Sequence, residues 1–143
     1  MRAAMVLVLA GTAAPGFGCT SAPPRFTETG VMTLDRLITE LKALGLSVQR
    51  SDEIEQPFFS VPGHVLKVGT EEVQVYEYAK PESAEAEARL VSPDGSGVGT
   101  SRLQWLAPPH FFRGGRVIVL YVGSHAKTLN SLTAVLGAQF AGR

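Results

Sequence analysis

Three histidines, His64, His110 and His125, are the side chains best suited to proton transfer or metal ligation. Each stands apart from the others and from any carboxylate pair, and no ligand spacing of a metal site surrounds them. His64 and His110 each follow a proline kink and His125 opens the last expected helix, so they read as turn-associated imidazoles bonded to backbone groups. No serine lies in a Gly-x-Ser-x-Gly elbow. Gly95-Ser96-Gly97-Val98-Gly99 has glycines enough to cradle a phosphate, but it precedes a strand and no Gly-Lys-Ser/Thr follows, so it reads as a flexible loop. The acidic runs Asp52-Glu53-Ile54-Glu55 and Glu71-Glu72 fall in loops or turns and read as solvated charge. The expectation is no catalytic residue, no metal and no cofactor: not an enzyme.

The aromatic residues carry more promise. Phe58-Phe59 and Phe111-Phe112 are adjacent pairs, and neighbours on an extended chain face opposite sides. Tyr76 and Tyr78 share a face with Gln74, and Trp105 stands just before the second proline kink. If helices cover one sheet face only, part of this set lines the open face or its rim. Phe58, Phe59, Tyr76, Tyr78, Trp105, His110, Phe111, Phe112 and Arg113 are therefore the candidate binding surface, since aromatics beside an arginine are common interface anchors. Core packing is the competing reading of the same rings.

Residues 1–19, MRAAMVLVLAGTAAPGFGC, give an address. Arg2 leads into an apolar run, Ala3 to Ala14, and small residues then end at the only cysteine, Cys19. This is the layout expected of an export signal, shorter than the about 20 apolar residues that span a bilayer. Its end resembles a bacterial lipoprotein signal, in which a small residue precedes an acylated cysteine. Gly18-Cys19 fits, while Gly16 stands where that family prefers Leu and Phe17 where it prefers a small residue. Ordinary secretory cleavage after small residues, with Gly16 and Gly18 in the required places, is the alternative, and it gives a secreted soluble protein. The organisation expected is a signal peptide over 1–18, a lipidated Cys19 and tether over 19–30, and one α+β domain over 31–143. The tether, TSAPPRFTETG, spans roughly 35 Å when extended.

Composition narrows the partners. Thirteen Lys and Arg balance thirteen Asp and Glu over 143 residues, with no basic stripe, which argues against nucleic acid. Cys19 has no second cysteine to pair with, so the domain relies on its hydrophobic core. Membrane attachment would come from lipid on Cys19 alone.

These residues need elements to position them. Thr33 caps a first helix with Leu34, Leu37, Ile38, Leu41 and Leu44 on one face, and Gly45 stops it. A strand from Leu46 to about Arg50 follows, then a hairpin of Val65–Val68 and Val73–Tyr78. Pro81 opens a second helix running to about Val91, ended by Ser92-Pro93-Asp94-Gly95. Arg102–Leu106 reads as a strand, and Gly114-Gly115 turns Phe111-Phe112 into the central strand Val117–Val122. Ser124 caps a last helix with Leu129, Leu132, Leu136 and Phe140 inward. The fold expected is an antiparallel sheet of about six strands with helices on one face: αβββ-αβββ plus a C-terminal helix.

The halves show faint self-similarity. Phe59, Pro62, His64 and Lys67 align with Trp105, Pro108, His110 and Arg113 at an offset of 46. With a turn two residues shorter, Val73 and Val75 then meet Val117 and Val119, which suggests a duplication. The stretches VSPDGSGVGT and WLAPPHFFRGGRVIVLYVG resemble uncharacterised small exported bacterial lipoproteins, over most of the chain from Gln56 to Gly142. The resemblance implies an envelope address and brings no activity, ligand or catalytic residue. The function expected is a lipid-anchored, non-catalytic envelope module that holds a protein partner. The alternative is a carrier or sensor of a small hydrophobic ligand, with a pocket rimmed by Tyr76, Tyr78, Trp105 and His110.

Overall fold

The computed structural model describes residues 30–143; the expected signal, Cys19 and most of the tether lie outside the described residues. Helix α1 spans Leu34–Ala43, and its Thr33 Oγ1 accepts the Arg36 N–H at 3.3 Å. Strands β1 (Val48–Ile54), β2 (Gly63–Val68) and β3 (Glu71–Glu77) follow, then helix α2 (Pro81–Ala88). A small two-stranded sheet, β4 (Gly97–Val98) and β5 (Ser101–Arg102), precedes β6 (Pro109–Gly114) and β7 (Val117–Val122). Helix α3 (Ala126–Leu136) and strand β8 (Ala141–Gly142) complete the chain. The fold is α+β: six antiparallel strands in the order β1-β2-β3-β7-β6-β8, with three helices packed on them.

The pleat sends alternate residues to opposite faces and so divides the core in two. Val73, Val75, Val117, Val119 and Tyr121 point to one face, where Leu34, Leu37 and Leu41 of α1 and Leu132 of α3 cover them. Each such leucine stabilises the fold by roughly 2 kcal/mol on burial. Tyr76, Ile118, Leu120 and Phe111 point to the other face, under Ala84 and Ala88 of α2 and the rings of Phe58, Phe59 and Trp105. Helices therefore lie on both faces, not on one. The alanine stripe of α2 fixes a close approach to a sheet, and it fits either side equally well.

Other boundaries move for local reasons. Arg102–Leu106 does not form a sheet strand; only Ser101–Arg102 is extended, against Gly97–Val98, and β8 supplies the sixth strand instead. His125, not Ser124, precedes α3, and Phe140 lies beyond its end, against Phe111 on the opposite face. Gly142 is at φ +113, and a Cβ there would lie 2.1 Å from the Pro109 oxygen, so only glycine lets β8 close on β6.

The two hairpins correspond more closely than the sequence alignment does. Their turns, Gly69-Thr70 and Gly115-Arg116, are both two residues long, so Val68↔Glu71 is matched by Gly114↔Val117 and the offset stays at 46 throughout. The expected shorter turn is not there. Gln74 pairs with Leu120, its own counterpart, which places a pseudo-twofold axis through that pair and normal to the sheet. Such an axis preserves faces, yet α1 and α2 sit on opposite ones. The symmetry covers four strands and stops at the helices.

Candidate functional site: two proline loops on the aromatic face

The pseudo-axis brings the segments preceding β2 and β6 together over the face that α2 leaves partly free. Phe59 and Trp105 occupy equivalent positions, and the Phe58 ring meets Trp105 edge-on at 6.3 Å. Phe59 packs on Tyr76 at 4.6 Å, and Trp105 packs on Phe111 at 6.1 Å. A Cβ on Gly63 would lie 2.8 Å from the Tyr76 ring, so glycine there gives that ring its place.

Polar groups fasten this aromatic layer. Tyr76 Oη donates to Gln74 Oε1 at 2.7 Å, and burial pushes the phenol pKa upward. Tyr78 Oη donates to Glu87 Oε2 at 2.7 Å, and burial together with the Glu87 carboxylate raises that phenol as well. The same Glu87 oxygen accepts the Ser60 N–H at 3.1 Å, so one carboxylate ties α2, the end of β3 and the first proline loop. Trp105 Nε1–H donates to the Gly95 oxygen at 2.7 Å, fixing the indole beside the Ser92–Gly95 turn. In that turn Asp94 Oδ1 accepts from Ser92 Oγ, Ser96 N and Ser96 Oγ at 2.7–3.0 Å. Those bonds, led by the Ser96 N–H, lower the Asp94 carboxyl to about 2.

Two open grooves flank the rings. One, of about 380 Å³, runs along Glu55–Pro62 with Phe59 and Val61 in its wall. The other, of about 520 Å³, is lined by Asp94, Leu103, Trp105, Pro108, Pro109 and Arg143. Leu106 stands fully exposed between Trp105 and Ala107 of the second groove's wall, within the uncharged run Leu103–Pro109.

The expected binding surface does not survive as an exposed patch. Phe59, Tyr76, Tyr78, Phe111 and Phe112 are buried side chains, the last on the α1/α3 face. Phe111 and Phe112 do point to opposite sides, but both sides are covered. His110 is buried too; its Nε2–H donates to the Gly123 oxygen at 2.9 Å and its Nδ1 lies 2.6 Å from the Gln139 side-chain amide. Phe58 and Trp105 are half-buried at the rim, and Arg113 is exposed in a separate groove with Phe140 and Val91.

His64 lies 3.7 Å from Glu53 and His125 bonds Thr128 at 3.1 Å, so the imidazoles stay apart. Among the described residues no cluster of three His, Cys, Asp or Glu could hold a metal ion. Buried side-chain polar atoms are all hydrogen-bonded among the described residues. No helix among them is long and apolar enough to cross a membrane.

Sequence reasoning missed Leu106, Leu103 and Asp94 as rim residues. The signal for the first two was the run Leu103–Pro109, which has no charge and follows a short strand. Asp94 was read only as turn punctuation, although the serines on either side of it announce a pinned carboxylate. No protein-family model, curated protein or solved structure matches the chain.

Proposed function

We propose that this protein is a non-catalytic binding module of the cell envelope, anchored by lipid on Cys19, that holds a protein partner through its two proline loops. The observation that carries the reading is the rim itself: Leu106 stands in full solvent exposure between Trp105 and Ala107, which line a groove of about 520 Å³, and the half-buried Trp105 ring meets that of Phe58. Apolar anchors beside aromatic rings and prolines, on irregular backbone held by a packed sheet, are the usual makings of a recognition surface. The grooves open to solvent, which favours a partner's surface over a carried hydrophobic molecule; a carrier would need an enclosed cavity.

A photo-crosslinking residue at position 106, in intact cells, is expected to capture a discrete partner that the same residue at Lys42 on α1 does not. Equal capture at both positions refutes the site. Incorporation of a fatty-acid analogue into wild type but not Cys19→Ala tests the anchor, and unlabelled wild type removes the lipoprotein reading.

A further inference from the structure

The groove beside Trp105 combines an ionised carboxylate, an aromatic ring and an apolar wall. Asp94 spends only Oδ1 on the Ser92 and Ser96 hydrogen bonds, and its Oδ2 accepts no hydrogen bond from the described residues. The turn that holds Asp94 also holds Trp105, through the indole N–H on the Gly95 oxygen. With its N–H engaged there, the indole has only its ring left to offer a ligand. Leu103 and Pro108 complete the wall. A fixed carboxylate beside a fixed indole favours a cation on an apolar stem, since the ring attracts positive charge and the carboxylate accepts its N–H groups. A planar guanidinium can stack on the ring and bond the free oxygen together.

We infer that this groove receives an arginine side chain presented by the protein partner, with Trp105 stacking on the guanidinium and Asp94 Oδ2 accepting its hydrogen bond. The inference rests on the proposed binding function and names the chemistry of its partner. Arg143 also lines the groove and is attracted to Asp94, so the incoming cation competes with a resident one. Three hydrogen bonds keep Asp94 ionised across the range in which the protein would work.

Trp105 is the only tryptophan of the chain and so reports on its own site. The test titrates purified protein with N-acetylarginine amide and follows Trp105 fluorescence, beside the neutral isostere N-acetylcitrulline amide and the acidic N-acetylglutamate amide. A saturable change is expected with the arginine amide, at least tenfold weaker with citrulline and lost in Asp94→Asn. Equal responses to arginine and citrulline, or a stronger response to glutamate, overturn the assignment. So does full arginine binding by an Asp94→Asn protein whose melting temperature matches wild type. The citrulline comparison needs no variant, so a misfolded Asp94→Asn leaves the test intact. Crosslinking at position 106 reads the binding function separately: a captured partner with no arginine preference refutes the groove alone.

Discussion

The two faces of the sheet solve the same packing problem with different materials. Beneath α1 and α3 the layer is mostly leucine and valine, with Phe112 among them and Tyr121 reaching Glu71 through its hydroxyl at 2.6 Å. Beneath α2 it is tyrosine, phenylalanine and tryptophan, covered by eight helical residues and two irregular loops. Two long apolar helix faces can seal a sheet with side chains alone. A short helix with an alanine stripe cannot, so rings from the loops fill the remainder and hydrogen bonds hold them. Specific recognition can be built on the second face because its cover is loop.

The largest effect that probes this contrast is a substitution in either layer. Phe111→Ser and Phe112→Ser should each destabilise by about 3–5 kcal/mol in urea unfolding, because both rings are enclosed. A melting temperature close to wild type for either would return that ring to the surface. Leu37→Ala, on the aliphatic face, should cost about 2–5 kcal/mol. Tyr78→Phe should cost about 1 kcal/mol, since Glu87 keeps the Ser60 N–H and loses only the phenol. Hydrogen exchange should then quicken in residues 55–62 and stay unchanged in α1, which would sharpen the distinction between a pinned cover and a packed one.

Smaller effects belong to the rim. Leu106→Ser should change stability by less than about 0.5 kcal/mol, because the side chain touches solvent, while abolishing capture of a partner. The smallest is a pH effect at Asp94. Its carboxyl is lowered from 3.8 to about 2 in the folded chain, so its stabilisation is complete above pH 3.8 and is lost as pH falls toward 2. Asp94→Asn should flatten the melting-temperature profile in that window alone; an unchanged profile would show that the turn does not depend on the charge.

How far the sequence could be read follows the same division. Helix α1 was legible from Thr33 and its leucine spacing, the first hairpin from alternating valines, and the central strand from the run Val117–Val122. These signals are local and each sits within one element. The side on which α2 packs was not legible, because Ala84 and Ala88 mark a buried stripe without saying which sheet face lies beneath. Gly114-Gly115-Arg116 allows two turn positions, and the pairing of Gly114 with Val117 selects the later one. Phe140 kept the spacing of the α3 stripe, but Gly137 at φ +85 had already ended the helix. Of the site, the rings and their proline kinks were visible, and their burial was not, since it depends on what covers the second face.

The Gln74–Leu120 pairing has a kinetic consequence. The middle of the sheet joins strands from opposite halves of the chain, so β3 remains an unprotected margin until β7 has been made and found it. Such distant contacts assemble slowly. The first three strands therefore wait for the second hairpin before the sheet can close around its middle.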